Sequence, residues 1–227
     1  MTTVLTVPPM PADQHQWRLR CLSHFIDAYE QPTAGPGADN RNAVISTCEG
    51  LIYSEIEEYF DALDDLSRSF GLAHAEKEQR TALAHWAQEG VDVEYTCAYA
   101  IIALQLDAPD PDEVTPGSVI DCVERLVNAF DFLRKTTPGS TGEMVERNKL
   151  AYALVALIAA MHRTLREYRI HDEVFFEAVH EANLRKRWPD GRVHRNELGK
   201  VLKPADWVAP DWVAVLSRAL VPDPVER

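Results

Sequence analysis

The chain is poor in glycine, with ten among 227 residues, and no stretch of any length alternates apolar and polar positions. Without that two-residue period there is no strand signal, and the class read from the pattern is all-α. Cysteine is sparse too. Cys21, Cys48, Cys97 and Cys122 are widely spaced and no CxxC occurs. That argues against a cysteine zinc site or a disulfide framework, and for reduced core thiols in a cytoplasmic protein. Long apolar runs are missing: the richest, 150–161, falls well short of the ~20 residues of a bilayer-spanning helix. No membrane association is expected. The opening MTTVLTVPPMPADQ lacks a basic start and a continuous apolar stretch, so no secretory signal is expected there. Residues 1–12 read as an irregular lead-in.

Positive charge is in deficit, with 23 Lys and Arg against 36 Asp and Glu and a net charge of −13. Nucleic-acid polymers are held by clustered Lys and Arg, so they are not expected as partners. A free nucleotide suits this balance, because metal ions mediate between an acidic protein and an acidic ligand.

What is present is apolar spacing of the helical kind, in a chain that is 46% hydrophobic and long enough for one real core. Helices are expected over 13–29, 41–70, 76–106, 118–134, 142–168 and 172–187, with Gly71 as a stop and Gly90 as the point where a bend would fall. Residues 31–40 and 107–117, dense in Pro, Gly and Asp, read as connections. The whole chain, 1–227, is expected to form a single domain.

Two of these helices carry acids in a pattern that needs an explanation. Glu55 and Glu58 lie in LIYSEIEEYFDAL, and Glu89 and Asp92 in EGVDVEYTCAYAIIAL. Residues i and i+3 project from one face of a helix, so each pair sets two carboxylates side by side, next to an apolar stripe. Like charges so placed repel. The natural neutraliser is a hard divalent cation with oxygen ligands.

Glu55-x-x-Glu58, thirty intervening residues, then Glu89-x-x-Asp92 resembles the signature of the all-α nucleoside triphosphate pyrophosphohydrolases, the MazG and dimeric dUTPase superfamily. Asp92-Val93-Glu94-Tyr95 is similar to the family's D-x-x-Y continuation, and HFIDAYEQP to its first helix. A second stretch, VHEANLRKRWPDGRVHRNELGKVLKPADWVAP, resembles the H-x-x-N-x-x-K, D-G-[KR] and G-K-V-L-K run that closes the MazG-like branch. The resemblance implies a core and tail at 13–107 and 173–212, with 108–172 as a helical insertion that either completes a bundle within the chain or extends a dimer interface. It also implies hydrolysis of a nucleoside triphosphate, such as dUTP or another non-standard nucleotide, to monophosphate and pyrophosphate. Mg²⁺, or Mn²⁺, would be held by Glu55, Glu58, Glu89 and Asp92 in a homodimer or larger assembly. Asn183, Lys186, Arg192, Lys200 and Lys203 are the expected substrate-binding residues, the basic tail clamping polyphosphate opposite the acids.

Two positions depart from the family pattern. Ser54 stands where members often carry an additional Glu, which puts metal stoichiometry and activity in question. Glu94 stands where an apolar residue is usual, and is expected at the surface or an interface. Trp188, Trp207 and Trp212 read either as base-stacking residues or as packing for the tail, and Trp17 and His24 are weaker base-pocket candidates. Glu177-x-x-His180 looks like half of a di-iron motif, but that architecture needs two such pairs. The rivals to the enzyme reading are a metal- or nucleotide-binding bundle without turnover and a helical interaction protein.

Overall fold

The computed structural model describes residues 14–70, 76–197 and 199–221; the expected lead-in and the Gly71 stop lie outside them. The described residues form seven α-helices: α1 (Gln14–Ala28), α2 (Arg41–Ser69), α3 (Glu76–Ala103), α4 (Val119–Lys135), α5 (Thr141–Glu167), α6 (Asp172–Leu184) and α7 (Trp212–Ala219). No strand occurs among them, only two isolated β-bridges. The chain is all-α, as its pattern implies.

The bundle is built around α3, which packs against α1, α2, α5, α6 and α7. From Ala84 onward this helix is buried on nearly every side, as a helix that is apolar all round must be. It runs unbroken through Gly90. A Cβ at that position would stand 3.6 Å from the Tyr59 ring, an ordinary contact distance, so α2 and α3 pack closely here without requiring glycine.

The insertion at 108–172 is part of this core rather than an appendage. Leu150, Leu154, Leu157, Ile158, Met161 and Leu165 of α5 are all buried, and α5 packs on α3. The bundle is therefore completed within one chain, while α4 covers the outer side of α5. Capping is explicit in both helices. Ser118 and Asp121 form a reciprocal capping box for α4, and Ser140 accepts the Glu143 N–H at the start of α5.

Helix α7 was not anticipated. Asp211 caps it, and Val215, Leu216 and Ala219 bury themselves against α3 and α6. Between α6 and α7 the chain is irregular but tightly docked. Arg187 donates to the Ala28 carbonyl, Arg195 to those of Tyr29 and Glu30, and the Trp207 indole to that of Ala182. The tail cannot be removed without opening the core.

Four helices are tied by one buried ionic network. Arg18 of α1 lies 3.1 Å from Glu94 of α3 and 2.5 Å from Asp172 of α6. His162 of α5 places its Nε2 3.3 Å from both acids. Glu94, expected at the surface or an interface, is instead 1% exposed. Its partners come from other helices, which a single-helix pattern does not reveal. Although Glu94, His162 and Asp172 are near enough to hold a metal ion, the Arg18 guanidinium already pairs with both acids.

Burial works against a charged His162, but Glu94 and Asp172 outweigh it and raise its proton affinity. Nε2 also lies 2.7 Å from Arg18 Nη1, a contact suited to an unprotonated nitrogen. With neutral imidazole, however, the four groups carry a buried net charge of −1, and protonation removes it. A protonated His162 is therefore the form that the network favours.

Removing one partner from such a network strands the other charges in the core. Arg18→Ala or Asp172→Asn is expected to cost about 3–5 kcal/mol. Urea unfolding reads this as a lowered midpoint at unchanged slope; a loss within ~0.5 kcal/mol would show that the network contributes little.

Candidate metal centre

The acidic pairs meet where α2 and α3, joined by a short connection, run side by side in opposite directions. Carboxylate oxygens of Glu55, Glu58 and Glu89 all lie within 4.8 Å of one another. Oxygens on opposite corners of a Mg²⁺ octahedron stand about 4.2 Å apart, from metal–oxygen bonds of about 2.1 Å. The three acids are therefore spaced to share a cation after small rotamer adjustments. Glu55 and Glu89 are buried, at 6% and 4% exposed, while Glu58 faces solvent. A site with two inner acids and one at the mouth leaves room for outside oxygens.

Asp92, the fourth expected ligand, is half-buried and stands beside this trio rather than within it. Gln88, one turn earlier on α3, bridges the two α3 acids. It donates to Glu89 Oε1 at 3.0 Å and to Asp92 Oδ2 at 2.9 Å. His85 Nε2 approaches Glu89 Oε1 at 3.1 Å, and Ser54 Oγ donates to Glu58 Oε1 at 3.3 Å. Gln88 and His85 were not identified from the sequence. Their i−1 and i−4 spacing to Glu89 is the only local signal they carry.

One cation of the tail already reaches the cluster. Lys200 Nζ is 2.8 Å from Glu55 Oε1 and 3.3 Å from Glu58 Oε1. Burial raises the proton affinity of Asp92, and Gln88 and then Lys186, just past the end of α6, only partly oppose it. The two lysines balance only half of the four acids, and the surplus shows in the acids themselves. Burial first and Asp92 second push Glu55 up to about 7. Burial, then Asp92, Glu58 and Glu55, push Glu89 up to about 8. Burial lowers Lys186, whereas Glu55 and Glu58 raise Lys200 against its own burial.

Glu89 Oε2 is moreover buried with no hydrogen-bond partner in the structure. An orphaned carboxylate oxygen, hard donors and uncompensated negative charge together fit a divalent cation.

Next to the acids opens a pocket of about 520 Å³, mouth included. Among its lining residues are Asp92, Tyr95, Thr96, Tyr99, Asn183, Lys186 and Lys200, with Phe25 and Leu51 on the apolar side. Tyr95 is fixed from behind by the buried His180, whose Nδ1 lies 3.0 Å from the phenol oxygen; His180 thus supports a pocket residue rather than forming half of a di-iron motif. Of the expected substrate-binding residues, Asn183, Lys186 and Lys200 line this pocket. Arg192 and Lys203 are absent from its lining. Arg192 is exposed on a turn, its backbone N–H on Asp190, and Lys203 lays its ammonium 4.4 Å over the Trp207 ring.

None of the tryptophans lines the pocket. Trp17 packs on Phe176, Trp188 on His194 and Trp212 on Phe175, so the packing alternative holds for them. His24 is likewise absent from the lining. No helix among the described residues is long and apolar enough to cross a membrane. Neither protein-family models, nor curated proteins, nor solved structures match the chain.

The raised carboxyls fix the sign of a pH effect. Glu55 and Glu89 bind protons more tightly folded than unfolded, so their contribution is fully present below about 4.5 and is lost as pH rises through about 7 and 8. Without divalent metal, Tm is expected to fall between pH 5 and pH 8. Mg²⁺ or Mn²⁺ should restore it most at pH 8, where both acids ionise. A metal effect equal at both pH values, read by thermal denaturation, would count against the site.

Proposed function

We propose that the chain is a Mg²⁺-dependent, or Mn²⁺-dependent, nucleoside triphosphate pyrophosphohydrolase, releasing a nucleoside monophosphate and pyrophosphate. The observation that carries this reading is the convergence of Glu55, Glu58 and Glu89, with Asp92, at the edge of a pocket that also presents Asn183, Lys186 and Lys200. Acids able to hold cations and lysines able to face phosphate then flank one cavity. Bound divalent ions would supply charge neutralisation and a more acidic water.

The remaining work falls to the chain's own groups. Glu55, Glu58, Glu89 and Asp92 hold the ions. Lys186 and Lys200 oppose the phosphate charge from the other wall. Gln88 and His85 engage Glu89 Oε1 and so orient that carboxylate, leaving Oε2 toward the ion. Phe25, Leu51, Tyr95 and Tyr99 offer the apolar and aromatic surface that a base requires, and Asn183 a hydrogen-bonding group beside it. The candidate substrates are dUTP or another non-standard nucleotide, which makes the role one of nucleotide-pool cleansing. A homodimer in the cytoplasm is part of the proposal, and sedimentation decides it, since α5 already covers α3 within one chain.

One observation favours a second reading. Lys200 engages Glu55 and Glu58 directly, and with Ser54 in place of a further acid this suits a binding bundle without turnover. Pyrophosphate release, assayed across nucleotides with Mg²⁺ or Mn²⁺, separates the two.

Glu58→Gln and Asp92→Asn should each lower kcat at least ~100-fold while the circular dichroism stays native. Either variant retaining wild-type turnover would sink the assignment. The two tail lysines should also differ. Lys200→Glu is expected to raise KM about tenfold or more, and Lys203→Glu, over Trp207, by less than threefold. Equal effects would mean that the tail acts only through its overall charge.

A further inference from the structure

Lys200 is an unusual lysine to find on an irregular tail. Its ammonium takes one oxygen from each of two acids, Glu55 and Glu58, whose oxygens also converge with Glu89. It is delivered there by a built turn. Leu202 N–H donates to the His194 carbonyl at 2.8 Å, and Arg195 pairs with Val201 as an isolated bridge. Asn196 then binds Lys200 twice: its N–H donates to the Lys200 carbonyl at 3.0 Å, and its side-chain oxygen accepts the Lys200 N–H at 2.9 Å.

Gly199, at φ +81°, brings this turn against α2. A Cβ there would stand 3.0 Å from Thr47 Cγ2, so only glycine lets the turn lie this close. The backbone of the turn thus carries the Lys200 side chain to the seam. The same turn walls the pocket through Gly199, Lys200 and Val201.

A metal ion and an ammonium set against the same carboxylate oxygens repel each other and compete for their lone pairs, so each weakens the hold of the other. We propose that Lys200 is a resident counter-ion of the metal centre, displaced when a divalent cation binds Glu55 and Glu58. The inference rests on the metal reading given above and adds a mechanism of control. While the cation is absent, Lys200 neutralises the seam. When the cation arrives, the ammonium is released toward the pocket that it lines, where it can meet an anionic group of the ligand. Metal binding and the charge of the pocket are then linked, and an anionic ligand that engages the freed lysine binds more tightly with metal present.

Mn²⁺ alone tests this on the full chain. Free Mn²⁺ is followed by electron paramagnetic resonance with wild type, Lys200→Ala and Lys200→Arg, each checked for a native melting transition. Removing the competitor should tighten Mn²⁺ binding about tenfold in Lys200→Ala, as expected for a charge-assisted hydrogen bond no longer broken on binding. Lys200→Arg should remain close to wild type. In parallel, amine acetylation read by mass spectrometry should show Lys200 becoming several-fold more reactive on adding Mn²⁺, with Lys203 unchanged as the internal reference.

If Mn²⁺ binds wild type and Lys200→Ala equally, or if Lys200 reactivity does not change on binding, the displacement is wrong and the metal centre stands. Tighter binding in Lys200→Arg as well would show that charge is not the cause, and would also overturn it. If Mn²⁺ binds neither wild type nor Lys200→Ala, the metal reading itself fails, and this one with it.

Discussion

Repulsion among four carboxylates in the seam between α2 and α3 is the constraint that the rest of the molecule accommodates. Neither helix can rotate its acids into solvent. The stripe beside Glu55 and Glu58 carries Ile52, Ile56 and Tyr59, and the stripe beside Glu89 and Asp92 carries Val91, Val93 and Tyr95, all of them buried. Turning the acids outward would bring those side chains with them. The charge must therefore be met in place, and among the described residues the lysines that meet it come from far along the chain. Lys186 arrives at the end of α6 and Lys200 on the docked turn, so the path of the tail is fixed as much by this charge as by the tail's own modest apolar content.

The two ionic centres on α3 show how a few residues of spacing divide structure from chemistry. Glu94 follows Asp92 by two residues, or about 200° around the helix, and so points to the opposite side of α3. There it meets Arg18, with Asp172 and His162 completing a group whose charges can cancel within the protein. The seam on the other side holds four acids against two lysines. A balanced centre holds helices together. An unbalanced one, beside a pocket, is suited to binding something from outside.

Much of this was legible in residues close together in sequence. The acid pairs, their position beside an apolar stripe and the six longer helices follow from three- and four-residue spacing, which local pattern reports well. What local pattern does not report is which distant group answers which charge. Lys200, Lys203 and Arg192 look equivalent in a basic tail, yet only Lys200 reaches the acids, because Asn196 and Gly199 aim the turn that carries it. Glu94 read as a surface residue because its partners lie on α1, α5 and α6. The eight residues of α7 had their Asp211 cap and an apolar spacing through Val215, Leu216 and Ala219. Pro204 and Pro210 just before them made the whole segment look like an irregular end. The tryptophans could be read as stacking or packing until their neighbours were seen.

Ser54 and Lys200 bear on the same quantity, the net charge of the seam. Where a further glutamate would add a negative charge, Ser54 instead donates a hydrogen bond to Glu58, and Lys200 contributes a positive charge to the same oxygen. Relative to a five-acid site without that lysine, the seam is less negative by two charges, the charge of one divalent ion. Each additional cation in such a site needs further negative charge to offset its repulsion from the first. Under the proposed function, the arrangement at Glu55, Glu58 and Glu89 therefore favours one tightly held protein-bound ion. Any second ion would rely on phosphate oxygens of the substrate for its remaining ligands, and would enter with the nucleotide rather than before it.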